Sequence, residues 1–140
     1  MLRRIDNRVC VAGQIRAEDI EVLKAGGVTM IVNNRPDGEE PGQPSAAEMA
    51  AAAEAAGLRY RHIPVAGGFS QPQVDAMAAA LSEAEGRVLA FCKSGTRSTF
   101  LWALAEAQRG TDGEELMRKA AAAGYDMRPI ARFLTRHDQP

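Results

Sequence analysis

Arg87-Val88-Leu89-Ala90-Phe91-Cys92-Lys93-Ser94-Gly95-Thr96-Arg97-Ser98 is the stretch on which the reading of this chain turns. Arg87 to Cys92 has the apolar run of a strand. A short Gly-containing turn follows and leads straight into a helix from about Thr96 to Gln108. In an α/β fold such a junction lies at the carboxyl edge of the sheet, where ligands bind.

The same alternation extends to both sides. Arg8–Ala12 reads as a short strand, and residues 17–25 as a helix closed by Gly26-Gly27. Val28–Val32 is an apolar run suited to a strand covered on both faces. Residues 33–44 hold three prolines, Pro36, Pro41 and Pro44, and read as a loop. Ser45-x-x-Glu48 and Ser70-x-x-Gln73 are capping boxes that open helices to about Ala56 and Glu85. Between them Arg59–Ile63 is a strand stopped by Pro64. Thr111-x-x-Glu114 is expected to cap a helix through Ala123, and Pro129 to begin a last short one. Strands and helices in alternation predict an α/β fold with a mostly parallel sheet. No linker or repeat breaks the chain, so residues 1–140 read as one domain.

Composition narrows the class. Seventeen basic and 18 acidic residues give a net charge of −1, without the basic excess of a nucleic-acid binder. No apolar run is long enough to span a bilayer, and the N-terminal Arg3-Arg4 is followed by no apolar segment of a secretory signal. Aromatic residues are only 5%, so aliphatic side chains must build the core. Two cysteines make no disulfide framework, which points to a reducing cytoplasm with free thiols. Two His and two Cys without ligand spacing predict no metal site, and nothing calls for a cofactor.

The junction itself carries chemistry. Backbone N–H groups of Lys93, Ser94, Gly95 and Thr96 can converge on one point, and the following helix N-terminus adds positive potential. Those surroundings favour the thiolate, the nucleophilic form of Cys92. Arg97 offers a planar fork for two anion oxygens. Ser98 is placed to donate a hydroxyl proton to the sulfur. The bland alternative is a buried Cys at a strand end. Cys, Gly, Arg and Ser within seven residues favour an anion site with a nucleophile. Cys10, in Val9-Cys10-Val11, reads as core. His62, Phe100 and Trp102 read as structural.

C-x-x-G-x-R-S resembles the loops of two cysteine-enzyme families, the protein tyrosine or dual-specificity phosphatases and the rhodanese sulfurtransferases. Three segments carry a wider resemblance: Gly27–Glu39, Tyr60–Val65, and Cys92–Ser98 with Leu101-Trp102. Together they are similar to the bacterial phosphatase-like domain of beta-lactamase-hydrolase-like proteins, over about residues 5–110. That resemblance implies a dual-specificity-phosphatase fold, with a central sheet of four or five strands flanked by helices. Members occur alone or joined to a metallo-beta-lactamase-type domain. For Cys92 the resemblance implies a phosphocysteine intermediate, with Arg97 and the loop amides holding the phosphoryl oxygens.

Three features depart from the phosphatase pattern. Four residues separate Cys92 from Arg97, where those phosphatases have five; four is the rhodanese spacing. Phe91 stands where they carry His. Gly67 stands where they carry the acid that protonates the leaving group. Losing that acid slows esters with poor leaving groups by about 10²- to 10⁴-fold. Asp37 is a replacement acid or else only part of an Asp-Gly turn, and Arg35 beside it is an anion ligand or a partner of Asp37 or Glu39.

Three functions follow. The first is a cysteine-dependent phosphatase-like hydrolase using Cys92, Arg97 and Asp37, with Lys93, Ser94, Gly95, Thr96, Ser98 and Arg35 binding substrate. The second, close behind, is rhodanese-like sulfur transfer through a Cys92 persulfide. The third is a module that binds phosphate or sulfate without turnover. The expected partner is a phosphate- or sulfur-bearing small molecule or a phosphoprotein, not nucleic acid or membrane.

Overall fold

The computed structural model describes residues 2–135, and side chains through Leu134. The single-domain reading of 1–140 therefore runs a little past the described residues. Five strands form one sheet in the order β1-β2-β5-β3-β4. They are β1 (Leu2–Arg4), β2 (Val9–Ala12), β3 (Val28–Asn33), β4 (Arg59–His62) and β5 (Arg87–Phe91). All neighbours are parallel except β1 and β2, which form an antiparallel pair at one edge. β1 was not expected. Its residues Leu2-Arg3-Arg4 are all exposed and show no apolar alternation to mark a strand.

β5 is the middle strand, and its side chains divide the core in two. Val88 and Ala90 point into one cluster, Leu89 and Phe91 into the other, and all four are fully buried. This is the period-2 pattern of a strand covered on both faces. β3 does the same with a correction. Its pairing with β5 slips between Val28 and Met30, so Thr29 is the extra residue of a bulge. The slip puts Val28 and Ile31 on one face and Met30 and Val32 on the other. Each such buried aliphatic side chain contributes about 1.5–3 kcal/mol.

α3 (Gln71–Glu83), α4 (Thr96–Gln108), α5 (Gly113–Ala122) and α6 (Ala131–Thr135) surround the larger cluster. α1 (Ile20–Ala25) and α2 (Ala46–Ala55) cover the other face. Both expected capping boxes are present. Ser45 accepts from Glu48 N and Ser70 from Gln73 N, and each N3 side chain returns the bond. The expected cap at Thr111 moves one residue. Asp112 accepts from Glu115 N, because a carboxylate offers the first-turn N–H groups a stronger acceptor. The first helix is also shorter than expected, since residues 17–19 form a 3-10 turn ahead of α1.

Trp102 is fully buried and donates its indole N–H to Asp6 Oδ2 at 3.2 Å, tying α4 to the turn between β1 and β2. Cys10 is core, as its surroundings suggested. It lies opposite Leu89, three residues before Cys92 on the adjacent strand. That stagger is about 10 Å along the strand, too far for a disulfide between the two. Among the described residues no helix is long and apolar enough to cross a membrane.

Candidate active site

Cys92 leaves the sheet at its centre. Its N–H donates to Ala12 O (3.2 Å), extending the β2 pairing by one step. On the other side Asn34 N donates to Phe91 O (2.8 Å). Both neighbours therefore hold the strand end, and the thiol is fully buried. The turn that follows is tight. A side chain on Gly13, just past β2, would come within 2.8 Å of Lys93 O, so two backbones touch beneath the loop.

Gly95 closes the turn. It is the N-cap of α4 and takes φ of +93°, a left-handed conformation that suits glycine. In that conformation its N–H points back at the sulfur, 3.1 Å from Cys92 Sγ. Its carbonyl accepts from Thr99 N (3.0 Å) and Thr99 Oγ1 (2.8 Å), which fixes the first turn of the helix. A Cβ on Gly95 would run into the Tyr125 hydroxyl. That hydroxyl donates to Ser94 O at 3.3 Å and buttresses the loop from outside.

Arg97 stands in the first turn of α4 with its guanidinium half-buried. Nη1 donates to Glu39 Oε2 (2.7 Å) and Val65 O (2.7 Å), and Nη2 to Glu39 Oε1 (2.9 Å). Of the five N–H donors of a guanidinium, that leaves Nε–H and one Nη2–H. These form its other bidentate edge, which matches two oxygens of a tetrahedral anion. Cys92 lies close enough to the same guanidinium to favour its charged form. Glu39 does most to hold Arg97 above its ordinary pKa, against the effect of burial. In return Arg97 holds the Glu39 carboxyl down at about 2.

Glu39 belongs to the loop between β3 and α2, and a second arginine braces that loop. Arg35 is buried, only 2% exposed. Its Nε donates to Glu39 Oε1 (2.8 Å), Nη2 to Glu40 Oε1 (2.7 Å) and Nη1 to Gln14 Oε1 (3.0 Å). Burial opposes its charge, but the bonds to Glu39 and Glu40 outweigh that and raise its pKa. Gln43 accepts from Glu39 N and Glu40 N, and so presents both carboxylates toward the Cys92 loop. Glu40 Oε2 also meets Lys93 Nζ at 3.3 Å. The two carboxylates thus link the 34–44 loop to the 92–97 loop.

The residues expected from the sequence divide accordingly. Cys92, Gly95 and Arg97 come together. Lys93, Ser94 and Thr96 line the turn; Lys93 pairs with Glu40, and Ser94 Oγ donates to Thr96 Oγ1 (3.1 Å). Ser98 is not directed at the sulfur. Its hydroxyl donates to Asn34 Oδ1 at 2.8 Å. Asn34 Nδ2 is held by Ile63 O at 2.9 Å, so its amide can only present an acceptor to Ser98. Arg35 takes the pairing alternative, with Glu39 and Glu40. Asp37 is exposed on the same loop, and its Oδ1 accepts from Ala46 N (2.7 Å) at the start of α2. His62 Nε2 faces Arg35 O at 3.0 Å and can only donate there.

Four contributors escaped sequence reasoning: Glu39 as the partner of Arg97, Gln14, the Val65 carbonyl and Tyr125. Glu39-Glu40 after Pro36-Asp37-Gly38 was the one visible signal, since acidic residues crowd a loop expected at the same sheet edge. A backbone carbonyl has no sequence signature, and Tyr125 is far away along the chain.

Residues 1–109 match the family described as the phosphatase-like domain of beta-lactamase hydrolase-like protein. A beta-lactamase hydrolase-like protein of Agrobacterium fabrum is 40% identical over 135 residues, 95% of this chain and 31% of that protein. The chain thus spans about a third of the length of this relative. Among solved structures, a candidate phosphatase of Neisseria meningitidis is 31% identical, with a TM-score of 0.81 and 96% of each chain covered. TpbA of P. aeruginosa, solved with phosphotyrosine, is 19% identical with a TM-score of 0.65, covering 95% of this chain and 79% of its own. The latter shows a shared fold, that of protein tyrosine and dual-specificity phosphatases. Fold, junction and sequence match agree: this chain belongs to the phosphatase-like domain family of the beta-lactamase hydrolase-like proteins.

Proposed function

We propose that this domain is a cysteine-dependent phosphatase-like hydrolase. The observation that carries the reading is the meeting of Cys92 Sγ, the Gly95 N–H at 3.1 Å and the free edge of Arg97 at the N-terminus of α4. The thiolate attacks phosphorus, and an S–P bond forms as the P–O bond to the leaving group breaks. Arg97 and the positive end of α4 hold the non-bridging oxygens, on which charge is concentrated. Water then attacks the phosphocysteine. The S–P bond breaks, phosphate leaves and the Cys92 thiolate returns.

Turnover of p-nitrophenyl phosphate tests this. Wild type should hydrolyse it, and Cys92→Ser and Arg97→Ala should not. Turnover that survives Cys92→Ser overturns the reading.

The four-residue spacing between Cys92 and Arg97 favours a second reading, sulfur transfer. Here Cys92 would accept a sulfane sulfur from thiosulfate, releasing sulfite, and pass it to a thiol or cyanide. Neither step needs a protonated leaving group. A wild-type protein that gains one sulfur atom from thiosulfate, while Cys92→Ser gains none, would support it.

A further inference from the structure

The segment after β4 reaches the reacting group, because Val65 O is bonded to Arg97 Nη1. Yet Pro64-Val65-Ala66-Gly67-Gly68-Phe69-Ser70 contains no ionisable side chain, and Ser70 is committed to capping α3. The ionisable groups of the opposite loop are all engaged. Both oxygens of Glu39 receive Arg97, and Oε1 receives Arg35 as well. Arg97 keeps Glu39 ionised, down to about 2. Glu40 is divided between Arg35 and Lys93. Asp37 accepts the Ala46 N–H at the start of α2. His62 directs Nε2 at Arg35 O, and the Tyr125 hydroxyl directs its proton at Ser94 O. Among the described residues, the carboxylates, the imidazole and the phenol bonded into this edge are thus each engaged with protein atoms.

An alkoxide leaves slowly without a proton, whereas a weakly basic oxygen needs none; a positioned acid contributes about 10²- to 10⁴-fold. We infer that this site acts on phosphoryl groups whose leaving group departs as a stable anion (an acidic phenol, the carboxylate of an acyl phosphate, the phosphate of an anhydride) and discriminates against alkyl phosphates. The inference rests on the hydrolase reading and narrows its substrate. The chemistry balances without an acid. The leaving oxygen keeps the electron pair of the broken P–O bond, and sulfur supplies the pair for S–P. In the second half water supplies the new P–O bond, and its proton passes to the departing phosphate or to buffer. No redox step is involved.

The test is kcat/KM of the whole chain on aryl phosphates whose phenols step from nitro-substituted to unsubstituted, with acetyl phosphate and glycerol phosphate at the two ends. kcat/KM reports the step in which the leaving group departs. It should fall steeply as the phenol becomes more basic, with glycerol phosphate slower than p-nitrophenyl phosphate by at least the about 10²- to 10⁴-fold that an acid would have contributed. Equal values across the series, lost in Cys92→Ser, overturn the inference and leave the hydrolase standing. No Cys92-dependent turnover of any member overturns both.

Discussion

Glu39 grips Arg97 by its end, with both carboxylate oxygens 2.7–2.9 Å from the two terminal nitrogens. The side edge of the guanidinium is left to an anion. On the hydrolase reading Glu39 acts as a positioning residue and not as a rival of the substrate. Glu39→Gln keeps the shape and removes the charge. It should lower kcat/KM on p-nitrophenyl phosphate by about 10- to 100-fold, the scale of a misplaced catalytic group. A rise in kcat/KM would show instead that the carboxylate competes with substrate.

The same pair makes stability depend on pH. The Glu39 carboxyl sits at about 2, against an ordinary 4.5. A lowered carboxyl stabilises the fold above its unfolded value, and the effect disappears as pH falls toward the folded one. The stability gap between wild type and Glu39→Gln should be constant above about pH 5.5 and close progressively from about 4.5 to 2. Urea unfolding at stepped pH measures it. A gap that persists unchanged at pH 2 contradicts the assignment.

Ser98 and Asn34 act together in the core, away from the reacting sulfur. Ser98→Ala leaves the buried Asn34 Oδ1 without its donor. The expected cost is about 1–3 kcal/mol of stability, with kcat/KM changed by less than about tenfold, or 1.4 kcal/mol. Loss of activity without loss of stability would return Ser98 to the thiol.

These contrasts show what the sequence could disclose. The strand, turn and helix around Cys92 were legible because local signals agreed: an apolar run, a glycine at the turn and a helix-compatible stretch after it. The two Ser capping boxes were legible for the same reason. The bulge at Thr29 was not, since β-branched Thr suits a regular strand equally well. Ser98 was misread because Cys92 and Ser98 are close in sequence, whereas Asn34, its true acceptor, arrives from the loop that follows β3. The Glu39–Arg97 pair joins a loop to a helix start 58 residues away, and no local pattern encodes such a contact. β1 is held by its pairing to β2 and by Arg3, which donates to Ala123 O, not by any apolar face of its own.

Gly67 offers room to install an acid. A side chain there meets nothing within 4 Å, and its backbone is outside the left-handed region. Gly67→Asp should fold normally and flatten the leaving-group dependence of kcat/KM. Phenyl phosphate should gain more than p-nitrophenyl phosphate, by up to about 10²-fold. The reverse order would show that leaving-group protonation does not limit this site.

The hydrolase reading requires Cys92 to accept a phosphoryl group. Rapid acid quench of the protein during turnover of p-nitrophenyl phosphate, followed by intact and peptide mass, traps that group. One phosphoryl group should appear on the peptide containing Cys92, and none in Cys92→Ser. A Cys92 that gains sulfur from thiosulfate, and never a phosphoryl group from an aryl phosphate, would contradict it.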